Sequence, residues 1–392
     1  DRISSSGKPH IWTENYSLIS DSLVYFSKKD SGIAIGNAQL SQNNQIIKAD
    51  RLEYFKNKGT ETFSYIAAGN VVIEDSISVS KAGKAYHNQK SEKTILEDGP
   101  SINNENNTIT GEKIFLNHKN NELSEIYIPK NPKTINEISA YRNINSDSTT
   151  SDKSFFKNSM EGSSLVGFFR NQILDSLRIE GMAKTTYHVI NDSLYQGVNY
   201  NSGDTIIVSF NENEIKDLFI FGGSEGTYFP DSLNKKDESP ISYSSNNIHY
   251  IIESKKTKLL GDSKIQHEET DLSAGFISIN WNTRILNALP KLSQDTISKP
   301  QSPIILESGK DPMTGEEMTY NIDTKRGNIK RGSTKADDGY YSGKKIRNQD
   351  EKTIYIKNSI FTTCDSQIPH FHFESNKMKI IQDDVVIAKP II

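Results

Sequence analysis

Hydrophobic residues in this chain recur at every second position in short runs. Nowhere do 12 or more residues keep the three-to-four spacing of a buried helix face. Ile33-Ala34-Ile35, Val71-Val72-Ile73, Ile126-Tyr127-Ile128, Ile206-Ile207-Val208, Ile354-Tyr355-Ile356 and Phe371-His372-Phe373 are examples. They are rich in β-branched and aromatic residues and are separated by clusters of Asn, Gly, Asp and Lys. That pattern predicts short strands at close intervals and an all-β chain.

The strands also repeat. Asp21-Ser22-Leu23-Val24-Tyr25-Phe26 returns 29 residues later as Asp50-Arg51-Leu52-Glu53-Tyr54-Phe55. A second motif is a glycine that opens a strand, at Gly36-Asn37-Ala38, Gly69-Asn70-Val71, Gly99-Pro100-Ser101 and Gly261-Asp262-Ser263. Thirteen residues after Gly36, Gly69 and Gly261 stand Ala49, Ala82 and Ala274. Gly181 and Gly222-Gly223 head looser copies. A period near 30 residues, made of two short strands and two turns, implies stacked antiparallel β-ribbons that share a narrow core. The Gly and Ala positions read as corners, where a side chain would crowd the next layer.

Alternation assigns an inward set to each run of repeats. In the first it comprises Leu23, Tyr25, Ile33, Ile35, Leu52, Tyr54, Val71, Ile73, Ile77, Val79, Ile102, Ile114 and Leu116. In the second it comprises Leu177, Ile179, Ile206, Val208, Leu218, Ile220, Ile248, Tyr250, Leu259, Ile277 and Ile279. Polar stretches punctuate the chain at 145–152 and 231–240, and a Pro-rich one runs from Pro290 to Pro303.

Composition narrows the function. Of 392 residues 34% are apolar, about 40% with the 24 Gly added, which is low for a thick-cored enzyme of this length. The balance of 46 basic against 50 acidic residues excludes a strongly basic nucleic-acid binder. No apolar run approaches the ~20 residues of a membrane helix, and the chain opens on Asp1 without a basic-then-apolar leader, as expected of a processed secretory protein. One cysteine excludes an internal disulfide framework. Cys364 has Thr362, Thr363 and Asp365 beside it in sequence, none of them a base, which argues against nucleophilic catalysis. His370 and His372, two apart on an expected strand, complete a Cys-x5-His-x-His spacing that matches no common zinc pattern. Neither a metal nor a cofactor is expected, and no catalytic motif is found.

Two stretches carry a family resemblance. The first is the repeat, as in Ala68-Gly69-Asn70-Val71 followed by Ala82 and Leu260-Gly261-Asp262 followed by Ala274. The second is the ordered succession Asp311 to Glu316, Tyr320-Asn321, Gly327 to Ile329, Tyr340 to Gly343, Phe361 to Asp365, Pro369 to Phe371 and Val386 to Pro390. Together they resemble the OstA-like periplasmic region of the LptD family of outer-membrane lipopolysaccharide-assembly proteins, up to about where a membrane barrel begins. The doubled repeat block departs from the simplest layout of that family.

The resemblance implies a β-jellyroll of bent ribbons, called a β-taco. The implied division is 1–145 as a first OstA-like block, 146–165 as a polar linker, 166–290 as a second block and 291–392 as a segment leading into a barrel. It implies no enzymatic activity. It implies an apolar groove for lipopolysaccharide on Leu23, Tyr25, Ile33, Ile35, Leu52, Tyr54, Val71, Ile73, Ile277 and Ile279. The implied partners are a periplasmic bridge of the LptA type, added at an edge strand around Ile19 to Phe26, and a plug lipoprotein of the LptE type. The implied location is the periplasmic face of the outer membrane. There Cys364 either pairs with a thiol elsewhere in a barrel-bearing protein or stays free. The basic residues Lys325, Arg326, Lys330, Arg331, Lys335, Lys344, Lys345 and Arg347 either meet phosphates or are simply solvated. The alternatives are a free-standing LptA-like bridge component, a β-helix enzyme acting on polysaccharide, and a surface adhesin.

Overall fold

The computed structural model describes residues 2–12, 16–42, 45–56, 62–76, 78–120, 122–143, 151–212, 214–233, 239–291, 302–308, 311–336, 339–350, 352–366, 368–381 and 384–392. Expected features on Ile77, on 145–150, on 234–238 and on 292–301 fall outside them. The described residues are almost wholly strand; their one helical element is the single turn Ser27–Lys29, and no helix is long and apolar enough to cross a membrane. The chain forms two compact units: Asp1–Gln196 with Thr205–Glu214, and Gly197–Asp204 with Ile215–Ile392.

In the first unit, strands Ser31–Gln42, Gln45–Lys56, Phe63–Glu74 and Val79–Asn88 follow one another as antiparallel hairpins. Each pairing slips at its middle, between Ile35 and Ala38, Lys48 and Arg51, and Ala68 and Val71. There the ribbon turns a corner, so every long strand contributes one half to each of two arms. The arms then continue on separate strands. One runs through Lys93–Glu97, Lys113–Lys119, Glu122–Ile128 and Ser164–Arg170, and the other through Ser101–Asn104, Asn107–Thr110, Lys133–Asn143 and Ser151–Glu161. The long strand Ile173–Asn191 pairs with both and rejoins them.

The second unit repeats this plan. Hairpins of Glu214–Pro230, Ile241–Ile251, Lys256–His267 and Thr270–Asn280 come first. Ile285–Leu289 with Glu317–Asn321 then continues one arm, and Ile304–Glu307 with Met313–Thr314 the other. Arg326–Ala336 rejoins them, and Gly339–Asn348, Thr353–Thr362, Phe373–Ile381 and Val385–Ile391 extend the ribbon.

The corner explains the sequence repeat. Gly36, Gly69, Gly99, Gly181, Gly222 and Gly261 all have φ between 74° and 77°, a left-handed value that costs a glycine little. At Gly36 and Gly69 an added Cβ would also strike the carboxylates of Asp21 and Asp50. The thirteen-residue spacing is hairpin register: the residue two past the glycine pairs with the alanine, as Ala38 with Ala49, Val71 with Ala82 and Ser263 with Ala274.

The stretch 146–165 was expected to be a linker, yet Ser151–Glu161 within it is a strand paired along its length with Lys133–Asn143. Its polar inward residue finds partners. Asn158 is buried, donates to Asn136 Oδ1 and accepts from the His188 backbone N–H at 2.8 Å. Serine and lysine dominate the exposed alternate positions and hid the strand from a hydrophobic pattern search.

Candidate functional site

Strand register lays the inward residues of the first unit into lanes that run across the strands. In one arm the lane nearer the corner reads Leu23, Ala34, Leu52, Ala67, Ala85, Leu96 and Ile114, each directly opposite the next. All are buried, and from Ala34 to Ile114 none keeps measurable exposure. Large aliphatic and small alanine side chains share this lane, as close packing of a narrow core requires. The facing lane in the other arm reads Leu18, Leu40, Ile47, Ile73, Ser80 and Ile102. The second unit has its own lane: Ile220, Ile248, Leu259, Ile277, Ala288, Met318, Ile329, Ile346, Ile356 and Met378.

Farther from the corner, the first unit changes character. The next lane reads Tyr25, Gly32, Tyr54, Tyr65, His87 and Thr94. Tyr54 lies across the space that Gly32 leaves, since a Cβ at Gly32 would run into its ring. Tyr16 belongs to the opposite arm and brings its ring to 5.5 Å from Tyr54 and 5.6 Å from Phe63. These rings, with Leu40, Gln42, Ser64 and Tyr65, line a small opening between the arms. Tyr65 stacks on His87 at 5.0 Å, and His87 Nδ1 lies 2.9 Å from Thr94 Oγ1.

This lane is polar at its tips and only partly satisfied. The hydroxyl of Tyr65 and Nδ1 of His118 are buried without a hydrogen-bond partner among the described residues, while the Tyr54 hydroxyl interacts with that of Tyr16. Burial drives the Tyr54 and Tyr65 phenols well above the ordinary tyrosine range. It also pulls His87 down to about 4, helped by repulsion from His118, which burial lowers as well. A buried group kept neutral and underbonded retains the capacity to hydrogen-bond a polar atom brought to it.

Of the ten residues expected to line a groove, Leu23, Leu52, Tyr54, Val71, Ile73, Ile277 and Ile279 are buried inward. Tyr25 is half-buried, and its hydroxyl donates to Asp30 at 3.0 Å. Ile33 and Ile35 belong to the opposite face: Ile35 is 43% exposed, while Gly32 and Ala34 between and beside them point inward. An alternating run fixes two faces but not which is which, and here the smaller residues face in because large ones on the neighbouring strands, Leu23, Leu52 and Tyr54, fill the same space.

Other expectations change too. The Ile19 to Phe26 stretch is not an open edge. Ser22–Phe26 is paired with Arg2–Ser6, and Tyr16–Ile19 with His10–Trp12, so the N-terminal arm covers it. Cys364 does have a nitrogen partner: His370 folds back to place Nδ1 3.3 Å from its sulfur. Backbone hydrogen bonds from His370 and Ser366, then the His370 ring, lower the thiol to about 7. His370 and His372 precede the strand Phe373–Ile381 rather than lying in it, and His372 turns to Glu374 at 3.2 Å. Among the described residues no three metal-ligating side chains come together. Several of the basic residues after 324 are engaged: Lys325 with Glu268 at 2.9 Å, Arg331 with Glu316 at 2.8 Å, and Arg326 with the Gln349 carbonyl at 3.2 Å.

A family-model match falls on this first unit. Residues 18–122 match the sequence model of the family described as LptA/(LptD N-terminal domain) LPS transport protein. That segment contains the four corner-turning hairpin strands and both lanes of the trough. Residues 18–122 are thus similar in sequence to the OstA-type modules of that family. Among solved structures the chain is similar to LptH, described as the LptA homologous periplasmic component of the conserved lipopolysaccharide transport device from Pseudomonas aeruginosa. Identity is 15% and the TM-score 0.30, over 38% of this chain and 93% of that one. No curated protein matches.

Proposed function

We propose that this chain is the periplasmic part of an outer-membrane lipopolysaccharide translocon: it holds the acyl chains of lipopolysaccharide between the arms of its first unit and passes them toward a β-barrel. The observation that carries this reading is the coincidence of the family match at 18–122 with the uninterrupted aliphatic lane from Leu23 to Ile114. Covering an acyl chain there is worth about 0.8 kcal/mol per methylene. In the structure the lane is packed on itself, so entry proceeds from the rim, where the Tyr16, Tyr54 and Phe63 rings meet between the arms.

In this reading residues 291–392 lead toward the barrel and an LptE-type lipoprotein plugs it. An LptA-type bridge adds its strand to Arg2–Ser6 and His10–Trp12, which cover the Ile19 to Phe26 stretch. Photo-crosslinking in cells tests the groove. A photoreactive residue at Tyr54 or Ile73 is expected to capture lipopolysaccharide, while one at Ile35, on the outer face, is not. Ile277 reports whether the second unit takes part. Absence of adducts from Tyr54 and Ile73 in the assembled protein would overturn the groove reading.

A further inference from the structure

The second unit carries a row of lysines that neither the trough nor the corners need. Lys330 is directly opposite Lys345, Lys345 opposite Lys357, Lys357 opposite Lys377, and Lys377 opposite Lys389. All five are exposed. With strands about 4.8 Å apart, five ammonium groups line up over about 19 Å on one face of the sheet.

Like charges directly opposite one another destabilise a sheet. Here the repulsion is scarcely relieved. Lys330 reaches Glu317 at 3.5 Å, and among the described residues the other four have no ion pair. Lysine on an edge strand discourages unwanted pairing, yet Lys330, Lys345, Lys357 and Lys377 lie on strands paired on both sides. The neighbouring row reads Arg347, Tyr355, Lys379 and Ile387, with the Lys379 ammonium 5.9 Å from the Tyr355 ring centre. Tyr355, Val385 and Ile387 are exposed beside the ladder.

We propose that this face docks on an anionic phospholipid surface, the lysines meeting headgroup phosphates and Tyr355 and Ile387 entering the headgroup layer. Basic residues joined by an aromatic and an aliphatic side chain are the composition that such a surface retains. The whole chain carries a formal charge of −4, so attraction to an anionic surface has to come from a local patch. The inference does not depend on the trough binding lipid.

Sedimentation of the full chain with vesicles tests it. Phosphatidylcholine vesicles containing phosphatidylglycerol should bind it, phosphatidylcholine alone should not, and added salt should release it. The triple variant Lys345→Gln/Lys357→Gln/Lys377→Gln should lose affinity roughly a hundredfold, at about 1 kcal/mol per lysine near an anionic surface and ~1.4 kcal/mol per factor of ten. Lys81→Gln/Lys133→Gln/Lys184→Gln makes the same change of net charge in the first unit and should bind like the parent. The ladder variant should melt no lower than the parent, since repulsion has been removed, so lost binding would not reflect unfolding. Equal binding to neutral and anionic vesicles, or an unaffected ladder variant, would overturn the proposal. So would binding of soluble polyphosphate by a chain that ignores the vesicles, which would make the face a reader of free polyanions.

Discussion

The side-chain amide of Asn70 donates to the Asp50 carboxylate at 2.9 Å across the corner turned by Gly69, and Asn37 makes the same bond to Asp21 at 2.9 Å. Each aspartate comes from an earlier stretch of the ribbon, so these two corners are each tied to the stretch before. This is why an Asp-x-Leu-x-Tyr-Phe motif returns in step with the Gly-Asn pairs. Gly69→Ala places a Cβ against Asp50 and a side chain in the left-handed region, and should cost about 2 kcal/mol or more in urea unfolding. Adding Asp50→Ala should recover the steric part and leave the backbone part. A Gly69→Ala protein as stable as the parent would show that the corner is not built this way.

Which face of the first ribbon is buried can be read from two substitutions. Leu52→Ala removes a fully buried side chain from the lane and should cost about 2–5 kcal/mol. Ile35→Ala trims an exposed one and should stay within about 0.5 kcal/mol. The opposite order would return Ile35 to the inward set.

That contrast also marks what was legible in the sequence. Alternation and the thirteen-residue spacing were enough for an all-β stack with glycine corners, because both follow from hairpin register, a local property. The inward face of Ser31–Gln42 was not legible, because Gly32 and Ala34 are small only in answer to Tyr54 and Leu52 on the next strand. Most of the residues expected to face inward do so because large apolar side chains fill most inward positions. The polar rim was missed, since His87 and Thr94 look like surface residues until register aligns them with Tyr54 and Tyr65. His370 was missed as the partner of Cys364 because a reversal of the chain, not spacing along a strand, brings the two together.

Stability should fall with acid. His87 is held neutral, with its pKa lowered to about 4 from 6.5, chiefly by burial. His118 and His188 are lowered in the same direction and by the same cause. A histidine depressed on folding contributes fully above its unfolded pKa, and the contribution is lost as pH falls from about 6.5 toward 4. For His87 alone this amounts to about 3 kcal/mol. Denaturant midpoints should therefore drop between neutral pH and pH ~4.5, and His87→Gln should flatten that slope. A slope unchanged by His87→Gln would mean that protonation elsewhere governs the loss.

Cys364 should behave as a partly ionised thiol in neutral solution. Its pKa, lowered to about 7, rests first on the His370 and Ser366 backbone donors and then on the His370 ring. Below that value the sulfur is protonated and unreactive; above it the thiolate predominates. The rate of alkylation by iodoacetamide should accordingly rise with a midpoint near 7. His370→Ala keeps both backbone donors and removes only the ring, so the midpoint should move up by part of the distance to an ordinary cysteine. A parent midpoint already at the ordinary value of about 8.5 would mean that the chain reversal between Cys364 and His370 does not hold in solution. An unmoved midpoint in His370→Ala would instead assign the whole shift to the backbone. If alkylation fails at every pH until a reductant is added, the sulfur is engaged in a disulfide, and mass spectrometry of the unreduced protein would then identify its partner.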